Sequence, residues 1–166
     1  MNVNQIIKEL ELLPHPEGGY YKETYRSEVS IKKDDLPHSF SGARSLSTTI
    51  YFLIESGNFS AFHKIKSDEI WHFYAGDALE VIEMDETGKV KLTAVGSKMN
   101  EAEVFQYVVK ANTWFGSRVK ASGKFSLVGC TVSPGFDFLD FEMAKREDLL
   151  EKFPQHKRII EEMTRI

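Results

Sequence analysis

The apolar residues at the start of the chain fall at Val3, Ile6, Ile7, Leu10 and Leu13, one face of a 3.6-residue period. Asn2 or Asn4 is available as an N-cap, and Pro14 and Pro16 end the pattern. The spacing predicts a short amphipathic helix whose stripe is packing surface. From Tyr20 the period changes to two. Runs rich in β-branched and aromatic residues at 20–26, 45–54, 60–63, 69–75, 78–84, 90–95, 105–109, 114–119 and 125–132 alternate with turn clusters. The turns contain residues that tolerate positive φ, such as Gly57, Gly76, Gly88, Asn112 and Gly123. Short strands at such spacing predict a sandwich or barrel rather than βαβ units. The stretch 32–42, with Asp34, Asp35 and Pro37, reads as an exposed loop. After Pro134 and Gly135 a helical period returns through Leu149, Leu150, Ile159, Ile160 and Met163, divided by Pro154 into two helices. The pattern predicts a single domain over 1–166: an N-terminal helix within 1–14, an all-β body over 20–133 and C-terminal helices over 144–166.

Composition narrows the class. Of 166 residues, 42% are hydrophobic and 28% charged, which suits a globular chain with a sizeable core. The net charge is -4 and the basic residues lie among acidic ones, so nucleic acid is not an expected partner. Lys8, Glu9 and Glu11 interrupt what would have to be the apolar stretch of a signal peptide. No run approaches the roughly 18 to 20 apolar residues of a membrane span. The single cysteine, Cys130, cannot form an intramolecular disulfide, and a cytoplasmic location is expected.

The chemistry concentrates in GNFSAFHKIKSDEIWHFYAG, residues 57–76. His63 ends one predicted strand and Glu69 begins the next, so a hairpin brings an imidazole and a carboxylate together. Such a pair can hold a divalent metal or act as a general base with its orienting carboxylate, and the residues leave both open. Period-two alternation sets Glu69, Trp71 and Phe73 on one face and His72 on the other, unless a bulge turns His72 toward the site. Trp71, Phe73, Trp114 and Phe115 read first as core, although the same aromatic wall suits a flat ligand. Tyr51 is a candidate proton donor from a neighbouring strand. His15, Glu17, Gly18 and Gly19 read as a compact turn whose glycines serve the backbone. Arg44 and Arg118 read as surface residues or as partners for an anion. Cys130, among apolar strand residues, reads as an inert thiol.

The spacing of Gly57, His63, Glu69 and Gly76 resembles the first motif of the cupin superfamily, except that Ile65 stands where its second histidine is usual. The second motif falls near VVKANTWFGSRV, where Lys110 and Asn112 replace proline and glycine and Phe115 replaces the last histidine. Two of the usual metal ligands are thus absent. A closer resemblance, to the cupin-5 or DUF985 group, is carried by PHPEGGYYKETYRS, TTIYFLIESG, HKIKSDEIWHFYAGD, TWFGS and GCTVSPGFDFLDFE. It implies a double-stranded β-helix, the cupin jelly-roll barrel, with a pocket between its sheets and a homodimeric assembly. Analogy with fold relatives that isomerise sugar phosphates or epimerise deoxysugars implies a small-molecule-binding protein of isomerase or epimerase type. In that expectation the ligand is a sugar or similar polar metabolite. His63 is the base, Glu69 orients it and Tyr51 is the acid, while Trp71, His72, Phe73, Trp114 and Phe115 contact the ligand. Alternatively, His63 and Glu69 form an incomplete shell for a weakly held divalent metal. The competing expectation is a non-catalytic module that binds or senses a small ligand.

Overall fold

The computed structural model describes residues 2–166. Helix α1 (Val3–Leu10) starts at Asn2, whose side chain accepts from the Gln5 N–H while the Gln5 side chain accepts from the Asn2 N–H. This reciprocal cap satisfies two donors that the helix cannot, a contribution of about 1 kcal/mol. Thirteen strands follow: β1 (Leu13–Pro14), β2 (Tyr20–Arg26), β3 (Ser30–Ile31), β4 (Arg44–Ser45), β5 (Thr48–Glu55), β6 (Phe59–Lys64) and β7 (Asp68–Gly76), then β8 (Leu79–Met84), β9 (Val90–Val95), β10 (Gln106–Val109), β11 (Trp114–Val119), β12 (Phe125–Ser133) and β13 (Glu142–Met143). Helices α2 (Arg146–Lys152) and α3 (Lys157–Met163) close the described chain, separated by a 3-10 turn at Pro154.

The strands form antiparallel sheets ordered β1-β2-β5-β12-β7-β10 and β13-β6-β11-β8-β9, with β3 and β4 paired apart. Side-chain alternation assigns three apolar layers. Phe52, Ile54, Trp71, Val81, Phe115, Val128 and Cys130 meet between the sheets. Phe62, Ile82 and Met84 are covered instead by Leu149, Ile160 and Met163 of the C-terminal helices. Leu53 is covered by Ile6 of α1 and by Leu12. Each such side chain contributes roughly 1.5 to 3 kcal/mol through its burial, so the terminal helices are caps over outward-facing apolar rows.

Every predicted strand window contains a strand, and helices longer than a single turn occur only near the two ends. The architecture is the expected mostly-β arrangement of antiparallel sheets. The loop 32–42 differs from the expectation: Leu36 and Phe40 are buried, and Arg44 at its end is only 4% exposed. Its two apolar side chains anchor it to the body. Among the described residues, no helix is long and apolar enough to cross a membrane.

Candidate functional site

A cavity of about 320 Å³ opens between the sheets, bordered by the turn before β2, by β2, β5, β6, β7 and β12, and by the segment after β12. Alternation explains its lining, since Tyr21 and Glu23, Ile50 and Phe52, and Cys130 and Val132 are i, i+2 pairs facing one side of their strands. The turn holds Glu17, which is buried. Gly18 and Gly19 adopt φ of +116° and +73°, and a Cβ on Gly18 would run into the Phe59 carbonyl. Only glycine permits both the sharp turn and the close approach to β6. The Ala61 N–H then donates to the Glu17 carbonyl at 2.9 Å, tying the turn to that strand.

The Glu17 carboxyl is held from three sides. Ser60 Oγ donates to Oε1 at 2.9 Å, His63 Nε2 lies 3.2 Å from Oε2, and His15 Nδ1 lies 3.5 Å from the same oxygen. His63 Nδ1 is 2.7 Å from the Ala61 carbonyl, so that nitrogen carries a proton and donates. When the ring is neutral its Nε2 is therefore an acceptor facing Glu17. Burial lowers the His63 pKa, an effect opposed by the charge of Glu69 and the bond to Ala61. Burial raises the Glu17 pKa, opposed by His15 and by Ser60. Both shifts favour the neutral pair, with Glu17 Oε2–H donating to His63 Nε2.

Glu69 stands on the same cavity, and burial pushes its pKa up to about 7 against the opposing influence of His63, while Glu17 adds to the rise. The Cys130 thiol neighbours Glu69 and opposes the rise in its pKa, and has its own pKa raised by burial and by that carboxyl. His15 is surrounded by rings, with centroids 4.6 Å from Tyr21 and 6.2 Å from both Phe52 and Phe138. Burial lowers its pKa.

The structure brings His63 and Glu69 to one cavity, as their spacing predicts, but the carboxylate in contact with His63 is Glu17. The orienting contact expected of Glu69 is made from the turn. Phe115 packs tilted against the His63 ring at 4.1 Å and stays in the core. Trp71 is also core, its ring 5.9 Å from Phe52, and Phe73 packs against the same cluster. Trp114 faces the other side of its sheet, under the Lys64 ammonium at 4.5 Å. Tyr51 points outward to Tyr74, ring to ring at 5.9 Å, because Ile50 and Phe52 take the inward positions. His72 also faces outward, bonded to Thr131 and Gln106 at 3.0 and 2.9 Å. The bulge near the β7 end lies opposite Leu127 and Val128, beyond His72, and leaves its side of the strand unchanged. The arginines are committed elsewhere: Arg44 to Asp140, and Arg118 to Glu80 and Glu162.

Among the described residues no three His, Cys, Asp or Glu side chains are grouped to share an ion. Ile65 lines the cavity as an alkyl group, Phe115 presents a phenyl ring to His63, and both His63 nitrogens already face oxygens. The residues that pattern reading missed are Glu17 and Cys130. Pro14, Pro16, Gly18 and Gly19 mark the turn around Glu17, but they do not say that its carboxyl turns inward.

Comparison with known proteins agrees with this architecture. The family described as Cupin superfamily (DUF985) matches residues 4–144. Protein SO0799 of Shewanella oneidensis is 39% identical with a TM-score of 0.89, covering 99% of this chain and 98% of its own. A hypothetical protein from Leishmania major is 36% identical with a TM-score of 0.90, covering 100% of both chains. The uncharacterized protein YML079W of Saccharomyces cerevisiae is 32% identical over 158 residues, 90% of this chain and 78% of its own length. With its sheets, its terminal helices and its matched blocks in agreement, the chain belongs to the DUF985 family of the cupin superfamily.

Proposed function

We propose that the cavity binds a small polar metabolite and moves a proton on it, as an isomerase or epimerase does. The observation that carries this reading is the His63–Glu17 pair. With His63 Nδ1 bound to a carbonyl, a single proton has two seats 3.2 Å apart, on Nε2 or on Oε2. In the form one proton poorer, with the Glu17 carboxylate facing a neutral His63, the pair can accept a substrate proton at the cavity, hold it as the neutral pair and return it. Glu69, near pKa 7, exists in both forms at neutral pH and supplies the complementary acid or base. Proton abstraction next to a carbonyl, followed by return to another carbon or to the other face, uses these groups alone. The second reading is a binding or sensing module without turnover. It is favoured by Ile65 and Phe115, which stand at two positions where the superfamily's motifs carry histidines.

Deuterium wash-in tests the proposal. The protein is incubated in D2O with a panel of aldoses, ketoses and amino sugars, and loss of the C–H signal next to the carbonyl is followed by proton NMR. Wild type is expected to exchange at least one compound, with the rate falling about 10² to 10⁴-fold in His63→Asn. Exchange that survives this substitution overturns the assignment of the base. Ligand-induced thermal stabilisation without exchange across the panel favours the binding module.

A further inference from the structure

Carboxyl groups outnumber basic side chains along the cavity lining. Glu17, Glu23, Glu69 and Asp137 border it against a single guanidinium, that of Arg26. Arg26 is already committed: Nε and Nη2 donate to the two oxygens of Glu23 at 2.9 and 2.7 Å, and Nη1 donates to the Phe136 carbonyl at 3.1 Å. Glu69 is only 8% exposed, and the side chain beside it on β12 is the thiol of Cys130, at most a weak donor. The titratable groups that bear on it are His63 from β6, Glu17 from the turn and Cys130 from β12, with no lysine or arginine among them. A buried carboxyl aimed into a cavity without a cation against it leaves an electrostatic demand that a ligand can meet.

The entrance supplies a second, independent feature. The Phe136 and Phe138 rings stand 5.0 Å apart, Phe141 lies 6.2 and 6.1 Å from them, and Tyr21 and Phe52 border the same space through His15. Phe138 is half-exposed at the mouth. Aromatic faces attract a cation within about 6 Å of a ring centroid, most strongly where water is excluded.

We infer that this cavity is built for a small organic ammonium, with aromatic rings at its mouth and the Glu69 carboxylate within. The inference rests on the reading that the cavity is the ligand site, and it names the charge class of the ligand. A sugar phosphate is disfavoured on the same grounds. Its dianion would meet the carboxyl groups of Glu69 and Asp137 and a guanidinium already bound to Glu23.

Three probes of nearly equal shape separate charge from size: choline, its uncharged isostere 3,3-dimethylbutan-1-ol, and the anion 3,3-dimethylbutanoate. Titration calorimetry at pH 8 is expected to show choline binding at least about tenfold more tightly than the alcohol, with no measurable binding of the anion. Choline has no titrating ammonium, so its affinity should fall as pH drops from 8 to 5 and Glu69 takes up a proton. Runs at neutral pH in buffers of different ionisation enthalpy should report proton release on binding. Glu69→Gln should remove the part of the pH dependence near neutrality, leaving only what His63 and His15 contribute below 6.5. Phe138→Leu, at a half-exposed position where folding is not at stake, should weaken choline more than the alcohol. Equal or tighter binding of the alcohol or the anion overturns the charge assignment while leaving a ligand cavity and the exchange test intact. Failure of all three probes to bind at about 10 mM overturns the inference as well.

Discussion

Glu69 keeps its proton to about pH 7 because burial disfavours the carboxylate, whereas an exposed glutamate loses it near 4.5. Between those values the folded state binds more protons than the unfolded state, so this residue's contribution to stability falls as pH rises and levels off above the folded pKa. His63 has the opposite slope. Its folded pKa lies below the ordinary 6.5, so stability rises with pH up to that value and then levels off. Replacing Glu69 by Gln removes the first dependence and leaves the second. Glu69→Gln is therefore expected to be the more stable protein at pH 8, by up to about 3 kcal/mol, with the gap closing toward pH 4.5. Urea denaturation at several pH values measures it. A variant less stable than wild type at pH 8 would mean that the ionised carboxylate is well solvated in the fold.

At the scale of elements, the segment between β12 and β13 forms one wall of the cavity with Phe136, Asp137 and Phe138, and a buried ion pair is among the contacts that hold it. Arg44 Nε and Nη2 donate to the Asp140 oxygens at 2.6 and 2.8 Å, both side chains almost without exposure, and Lys66 lies 3.4 Å away. Asp140→Ala would leave the guanidinium buried without its counter-charge, at an expected cost of about 3 to 5 kcal/mol, and should release the aromatic wall. Chemical denaturation together with choline titration reads both effects. An unchanged midpoint would show that water reaches Arg44. In the sequence Arg44 reads as a surface residue or an anion partner and Asp140 does not stand out, because an arginine after a polar loop and an aspartate between aromatics carry no periodic signal. The strands and terminal helices were legible because one-sided burial imposes periods of 2 and 3.6 that survive in the residues. His63 and Glu69 were legible through their spacing within a hairpin. Glu17 was not, since turns lack a period and its placement depends on a contact with β6 far along the chain. Cys130 was hidden by apolar neighbours on its own strand face. Tyr51 and the tryptophans were aromatic residues near the motif, and chemistry alone does not say which side of a strand they occupy.

On the scale of the whole molecule, the C-terminal segment reaches the turn that carries Glu17. Arg146 of α2 donates to the Thr164 hydroxyl and carbonyl at 2.9 and 2.6 Å, fixing the last residues against the body. Arg165 then reaches over the Phe59 ring, and its Nη2 approaches the carbonyls of Phe59 and Glu17 and the Asn58 side chain at 2.8, 3.2 and 3.1 Å. One guanidinium thereby joins the C-terminal segment, the start of β6 and the turn that carries Glu17. Most of these contacts are solvent-exposed, so their loss should cost less than about 2 kcal/mol. Their effect on position should be larger than on stability. Glu17 faces His63 across 3.2 Å, and a displacement of a fraction of an ångström there is enough to cost roughly tenfold in a proton transfer. Arg165 is thus a positioning residue in the proposed chemistry. Arg165→Ala is expected to retain a melting temperature within a few degrees of wild type while deuterium exchange slows about tenfold. Arg158→Ala, on the exposed side of α3, should leave exchange unchanged and serves as the control. Arg165→Lys restores the charge but not the fork that reaches three acceptors, so it should recover only part of the rate. If Arg165→Ala exchanges deuterium as fast as wild type, the turn holds Glu17 through Gly18, Gly19 and the Ala61 bond alone, and the C-terminal segment is only a cover for the sheet.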